Sequence, residues 1–149
     1  MSIRNRTEIV RPLLGSTAAV ALACAAAVHA SWAAGSTWPR TTSDELADLV
    51  VGRRPMPGPV ACSVVAAALG TASVATARAS TTTRPGGAPR SRAVASVVAA
   101  AMLARGIGGV AADVCHLGQQ TSEFRRWNRR FYNPLCVSLG VLVAAGRRS

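Results

Sequence analysis

Two histidines, His29 and His116, four cysteines, Cys24, Cys62, Cys115 and Cys136, and one arginine inside an apolar run, Arg105, are the residues of this chain with the most chemistry to offer. Imidazole is a common ligand of haem and of transition metals, and Asp113, Cys115 or His116 could join His29 in such a set. Neither the HxxxH nor the HExxH spacing is present, and the cysteines form no CxxC pair, so no metal or cofactor is expected. Hydrolysis through Ser31 or Cys115 with a histidine as base lacks a GxSxG elbow or a Cys/His/Asn signature, and a non-enzymatic role is the expectation. Four scattered cysteines read most simply as small apolar residues in helices. A Cys62–Cys136 disulfide on an oxidising outer face is the alternative.

The elements that hold these residues are apolar and long. Half of the 149 residues are hydrophobic while 4 % are aromatic, and the length fits one domain. Four apolar blocks can be drawn, with spans at about 13–34, 59–77, 93–112 and 131–146, separated after the second by a polar, basic, Gly- and Pro-rich loop at about 79–92. A helix needs about 20 residues to cross a hydrocarbon core, so the first three blocks suffice. The fourth, Pro134 to Gly146, must borrow Phe131 and Tyr132, tilt, or thin the bilayer. Alanine is only weakly favourable in lipid, so insertion depends on helices packing together, and Gly70, Gly106, Gly108 and Gly109 are candidates for close backbone approach.

Between the first two spans, TTSDELADLVVG has Thr42 and Glu45 at capping-box spacing and Gly52 placed to end the turn, with Leu46, Leu49 and Val50 on one face. A short helix on the membrane surface follows, and Pro59 opens the next span. Before the last span, TSEFRRWNRRFYNP places Phe124, Trp127 and Phe131 on one helical face among four arginines, a second interfacial helix, with Asn133 and Pro134 read as cap and first-turn residue of the final span. Trp32, Trp38, Trp127 and Tyr132 are the expected interfacial anchors. The basic start, apolar core and VHA before Ser31 also describe a secretory signal peptide. The run is long for a signal core, however, and WAAGSTWP follows it like an anchor, so a retained span is expected.

The net charge of +11 comes from seventeen arginines, with no lysine, against six acids. Nearly all of the arginines flank the apolar blocks, and no nucleic-acid-binding motif accompanies them, so anionic lipid headgroups rather than nucleic acid are the expected partners, with another membrane protein as a further candidate. An inside N-terminus puts nine arginines in cytoplasmic segments and seven in outer loops, which favours cytoplasmic termini in the plasma membrane.

HASWAAGSTWP near the end of the first span and FRRWNRRFYNPLCVSLG leading into the last resemble the small bacterial membrane proteins grouped as domain of unknown function 3995 (DUF3995). The likeness runs from about Leu13 to Gly146, leaving the middle loop unmatched, and implies four membrane helices. It also implies an Arg in the third helix with an Asp one turn later. Here Arg105 stands, but the later position is Gly109 and the nearest acid is Asp113, which puts an intrahelical ion pair in doubt. The family carries no established activity to transfer.

Arg105 lies about 18 Å into its span, where a cation costs about 2.5–3.5 kcal/mol and must find partners, face the bundle interior or snorkel. His29 lies about 24 Å into the first span, within about a turn of the same depth. With Asp113 and His116 ending the third span on that side, His29, Arg105, Asp113 and His116 are expected to line a polar pocket near the outer face. The fold expected is all-α: an integral membrane four-helix bundle with short interfacial helices. The alternative to a non-enzymatic membrane component is a cofactor-binding or small-molecule transport protein using Arg105 and His29.

Overall fold

The computed structural model describes residues 3–81, 89–115, 118 and 120–146, with side chains from residue 10 onward. The fold is all-α, with no strand among the described residues: α1 (Ile3–Ala33), α2 (Ser43–Val50), α3 (Pro59–Thr81), α4 (Pro89–Val114), α5 (Ser122–Trp127), a π-helical segment (Asn128–Tyr132) and α6 (Asn133–Gly146). Three helices, Val10–Ala33 within α1, α3 and α4, are long and apolar enough to cross a membrane. Their mean hydropathies are 1.7–1.8, yet only 17–22 % of their most apolar windows is buried inside the protein. Helices that are apolar on every side and mostly uncovered need an apolar surrounding. Helix α3 continues to Thr81 and α4 starts at Pro89, so helix occupies both ends of the loop expected at 79–92, and residues 82–88 lie outside the described residues.

Helix α1 packs on α3 and α6, and α4 packs on α6 and α3. The core is built from Ala18, Leu22, Ala72, Ala79, Ala95, Ala99, Leu139 and Val143. Ala79, Ala95, Ala99 and Val143 lie toward the end that carries the chain termini, and Ala18, Leu22, Ala72 and Leu139 lie near mid-helix, so the helices meet tightly from their middles to that end. Alanine offers little area to bury, and close approach substitutes for bulk. A Cβ on Gly140 would stand 2.6 Å from Leu103 Cγ, one on Gly106 2.6 Å from Val137 Cγ2, and one on Gly146 2.6 Å from Gly15 Cα. Space remains open within 4 Å of the Cβ positions of Gly70 and Gly108, which take no part in these contacts. Ser73 Oγ adds a cross-helix bond to Ala19 O at 2.7 Å.

The opposite end is capped by α2 and α5. Thr42 and Glu45 form the capping box: Glu45 N–H donates to Thr42 Oγ1 at 3.2 Å and the Glu45 carboxylate accepts from Thr42 N–H at 3.3 Å. Gly52 ends the turn with φ +80°, a conformation that glycine adopts without strain, and its Cβ would strike the Phe124 ring. The apolar face of α2 is not laid on a surface. Leu46, Ala47 and Leu49 are buried, because Thr121 bridges the two short helices with its N–H on Gly52 O (2.9 Å) and its hydroxyl on Asp48 O (2.7 Å). Phe124, too, is buried against this turn.

Asn133 is not a helix cap. The helix runs unbroken from Ser122 through the π segment to Gly146, and Asn133 is helical at φ −65°, ψ −49°. Its N–H reaches back five residues to Asn128 O. The wide turn falls where Pro134 has no N–H to continue the α ladder. It also supplies the added helical length that the short α6 lacks.

Candidate functional site

The tight end draws the helices together, and the capped end leaves them apart around a cavity of about 930 Å³. Its walls come from α1 (Val28, His29, Trp32), the following loop (Trp38, Arg40), α2 and its exit (Leu49, Val50, Met56), α3 (Ala61, Cys62, Val65), Arg105 of α4, and Trp127, Phe131 and Tyr132. All three tryptophans and the single tyrosine of the chain therefore line one space. The four residues expected as separate anchors converge on it: Trp32, Trp38, Trp127 and Tyr132. Trp32 Nε1 donates to Trp38 O at 2.7 Å, which folds the loop back over the end of α1.

His29 has its ring 4.8 Å from that of Trp32. Its Nδ1 lies 2.9 Å from Ala25 O. A carbonyl only accepts, so Nδ1 carries a proton and donates it to this bond. Ser31 Oγ donates to Val28 O at 2.8 Å, which engages the hydroxyl with its own helix rather than with an activating base. The four thiols are unpaired, and Cys62, on the cavity wall, donates to Pro57 O at 3.5 Å.

Arg105 reaches from the cavity wall to two asparagines. Nη1 donates to Asn133 Oδ1 and Nη2 to Asn128 Oδ1, each at 3.0 Å. In an α-helix, residues five apart point about 140° from each other. Closing the turn over five residues instead brings Asn128 and Asn133 toward the same side, where one guanidinium can take both. Asp113 is buried and stands behind this pair, accepting from Asn128 Nδ2 at 3.5 Å. The acid thus answers the cation through an amide, and it does not line the cavity. Gly109 makes the arrangement possible, since a Cβ there would collide with Asn133 Oδ1 and stand 2.6 Å from Arg105 Nη1. His116 lies outside the described residues.

The second cation on the wall, Arg40, is ion-paired with Glu123 and so ties the α1–α2 loop to α5. Neither asparagine nor Arg40 stood out in the sequence. The adjacency of Asn133 and Pro134 gave the one available signal, and it reads equally well as a helix start. Among the described residues, no three His, Cys, Asp or Glu side chains are grouped to hold a metal ion.

The family model described as "Protein of unknown function (DUF3995)" matches residues 22–143, most of the chain and all of the site residues just described. The chain belongs to the DUF3995 family. No curated protein and no solved structure matches it. The matched segment of this DUF3995 member begins midway through α1 and ends at the core residue Val143, so it contains the capped end entire.

Proposed function

We propose that this DUF3995 protein is a non-enzymatic, multi-pass component of the plasma membrane, a four-helix bundle that binds a small amphipathic molecule in the aromatic cavity at its capped end. Both termini are cytoplasmic in this reading, the cavity opens near the outer face, and the arginine clusters meet anionic headgroups. The observation that carries it is the cavity itself. Its apolar and aromatic walls, its few polar groups and its volume of about 930 Å³ fit the general form of a small-molecule site. Arg105 is then tolerated at depth because two neutral amides receive it on a cavity wall rather than in lipid.

The test uses the tryptophans. Because every one of them lines the cavity, intrinsic fluorescence of the purified full chain in lipid nanodiscs reports its occupancy. A brominated single-chain amphiphile should quench the emission saturably, near one per protein, and an unbrominated analogue should reverse the effect. Quenching that rises linearly with added amphiphile, with no competition, would count against a site. Filling the cavity through Ala61→Phe should abolish the saturable phase. A transporter reading, with Arg105 and His29 contacting a passing solute, is favoured only by their common position on the wall, and counterflow assays in vesicles separate it.

A further inference from the structure

Given an amphiphile in this cavity, we infer that its head is a monoanionic carboxylate on a single hydrocarbon chain, and that Arg105 is its ion partner. This rests on the reading of the cavity as a binding site and adds the chemistry of the ligand.

The argument is one of charge. Among the described residues of the wall, three can bear positive charge, His29, Arg40 and Arg105, and none is acidic. Arg40 already has Glu123. His29 already commits its Nδ1–H to the carbonyl of Ala25 in its own helix. Arg105 differs from both, because its direct partners are two uncharged amide oxygens. A guanidinium has five N–H donors, and these bonds take two of them. The one nearby carboxylate, Asp113, bonds to Asn128 instead. The asparagines therefore orient the guanidinium without neutralising it, while the remaining donors stay available at a cavity wall.

Among oxyanions, a carboxylate matches one such cation with a single charge. A phosphate monoester brings about 1.5 to 2 negative charges at neutral pH, more than the wall balances. A cationic head is disfavoured by the absence of any acid among the described residues of the wall, although aromatic rings alone would welcome it. The apolar remainder of the lining, Val28, Leu49, Val50, Ala61 and Val65, suits a hydrocarbon chain.

The full-length protein in phosphatidylcholine nanodiscs is titrated with a brominated long-chain fatty acid, its methyl ester, the alkyl phosphate and the trimethylammonium compound of equal chain length, with tryptophan quenching as the readout. The acid should bind about tenfold or more tighter than the ester, the size of one charge-assisted contact. Arg105→Gln should erase that preference and leave ester binding in place. Should Arg105→Gln fail to fold, the wild-type comparison of acid with ester decides alone. Equal affinity of acid and ester, or a phosphate or trimethylammonium head that outbinds the carboxylate, overturns the ligand assignment while leaving the cavity reading intact. If no compound quenches saturably, both fall.

Discussion

Gly109 carries no side chain, yet the Arg105 site depends on it more directly than on most residues that do. A Cβ at this position would intrude where Arg105 Nη1 and Asn133 Oδ1 meet, so Gly109→Ala must push one of them aside. Overpacking of this kind costs about 1–3 kcal/mol, and here it also breaks a hydrogen bond to a charged group. Gly108→Ala, one residue away, and Gly70→Ala meet open space, and should be neutral or gain up to about 1 kcal/mol of helix propensity. Thermal unfolding of the three variants in one detergent checks the contrast, and equal loss in all of them would remove Gly109 from the argument. At the other side of the same contact, Asn133→Leu should lower stability because the guanidinium loses one of its two amide partners. Asn133 itself is 1 % exposed, so the leucine would stand in its place with no acceptor to offer. The sequence shows that Arg105 is expensive and that no acid sits one turn later, but it is silent on what answers the charge. The answer comes from amides 23 and 28 residues away, on a helix whose phase is set by a π turn.

The two short helices behave as one lid, and a single threonine joins them. Thr121 caps α5 by accepting from Phe124 N–H at 3.2 Å, while its own hydroxyl and N–H reach Asp48 and Gly52. Thr121→Val keeps the shape and removes both hydroxyl bonds, at about 1–2 kcal/mol for the cap alone. Faster proteolysis around α2 and α5, with α3 and α4 unchanged, is the expected result. The α2 turn also carries a pH dependence. Hydrogen bonds from Arg54, then its charge, hold the Asp48 carboxyl below its usual value, and hydrogen bonds from Thr41 and Thr42 do the same for Glu45. A carboxylate whose pKa is depressed by folding stabilises the folded form at neutral pH, and that contribution fades as pH falls through the depressed value. The α2 backbone NMR shifts should therefore hold down to about pH 4, the ordinary carboxylate range, and drift toward coil values only below it. The capping box and the Pro59 start were legible because each is a local pattern of three or four residues. The burial of α2 was not, since its apolar face fits a membrane surface or a partner helix equally well, and only the distant Thr121 decides between them.

For the molecule as a whole, the solvent was legible and the inequality of its two ends was not. Apolar blocks of about twenty residues announce lipid by composition alone. Where the helices converge depends on Gly15, Gly140 and Gly146, which composition does not distinguish from Gly70. That convergence bears on whether α1 is retained or removed after Ala30 as a leader. Ala18 and Leu22 are fully buried, Ser73 bonds to Ala19 O, and Gly146 rests on Gly15, so cleavage would strip one wall from the core and His29 from the cavity. An epitope placed ahead of Met1 should thus remain on the mature protein, which an immunoblot of the membrane fraction reads directly. With both termini inside, alkaline phosphatase fused within 82–88 should be inactive, and fused after Gly118 it should be active. The reverse pattern would invert the protein and move the cavity to the cytoplasmic face. Loss of the epitope would mean that the remaining helices stand without α1, and that neither the tight end nor the cavity exists as described.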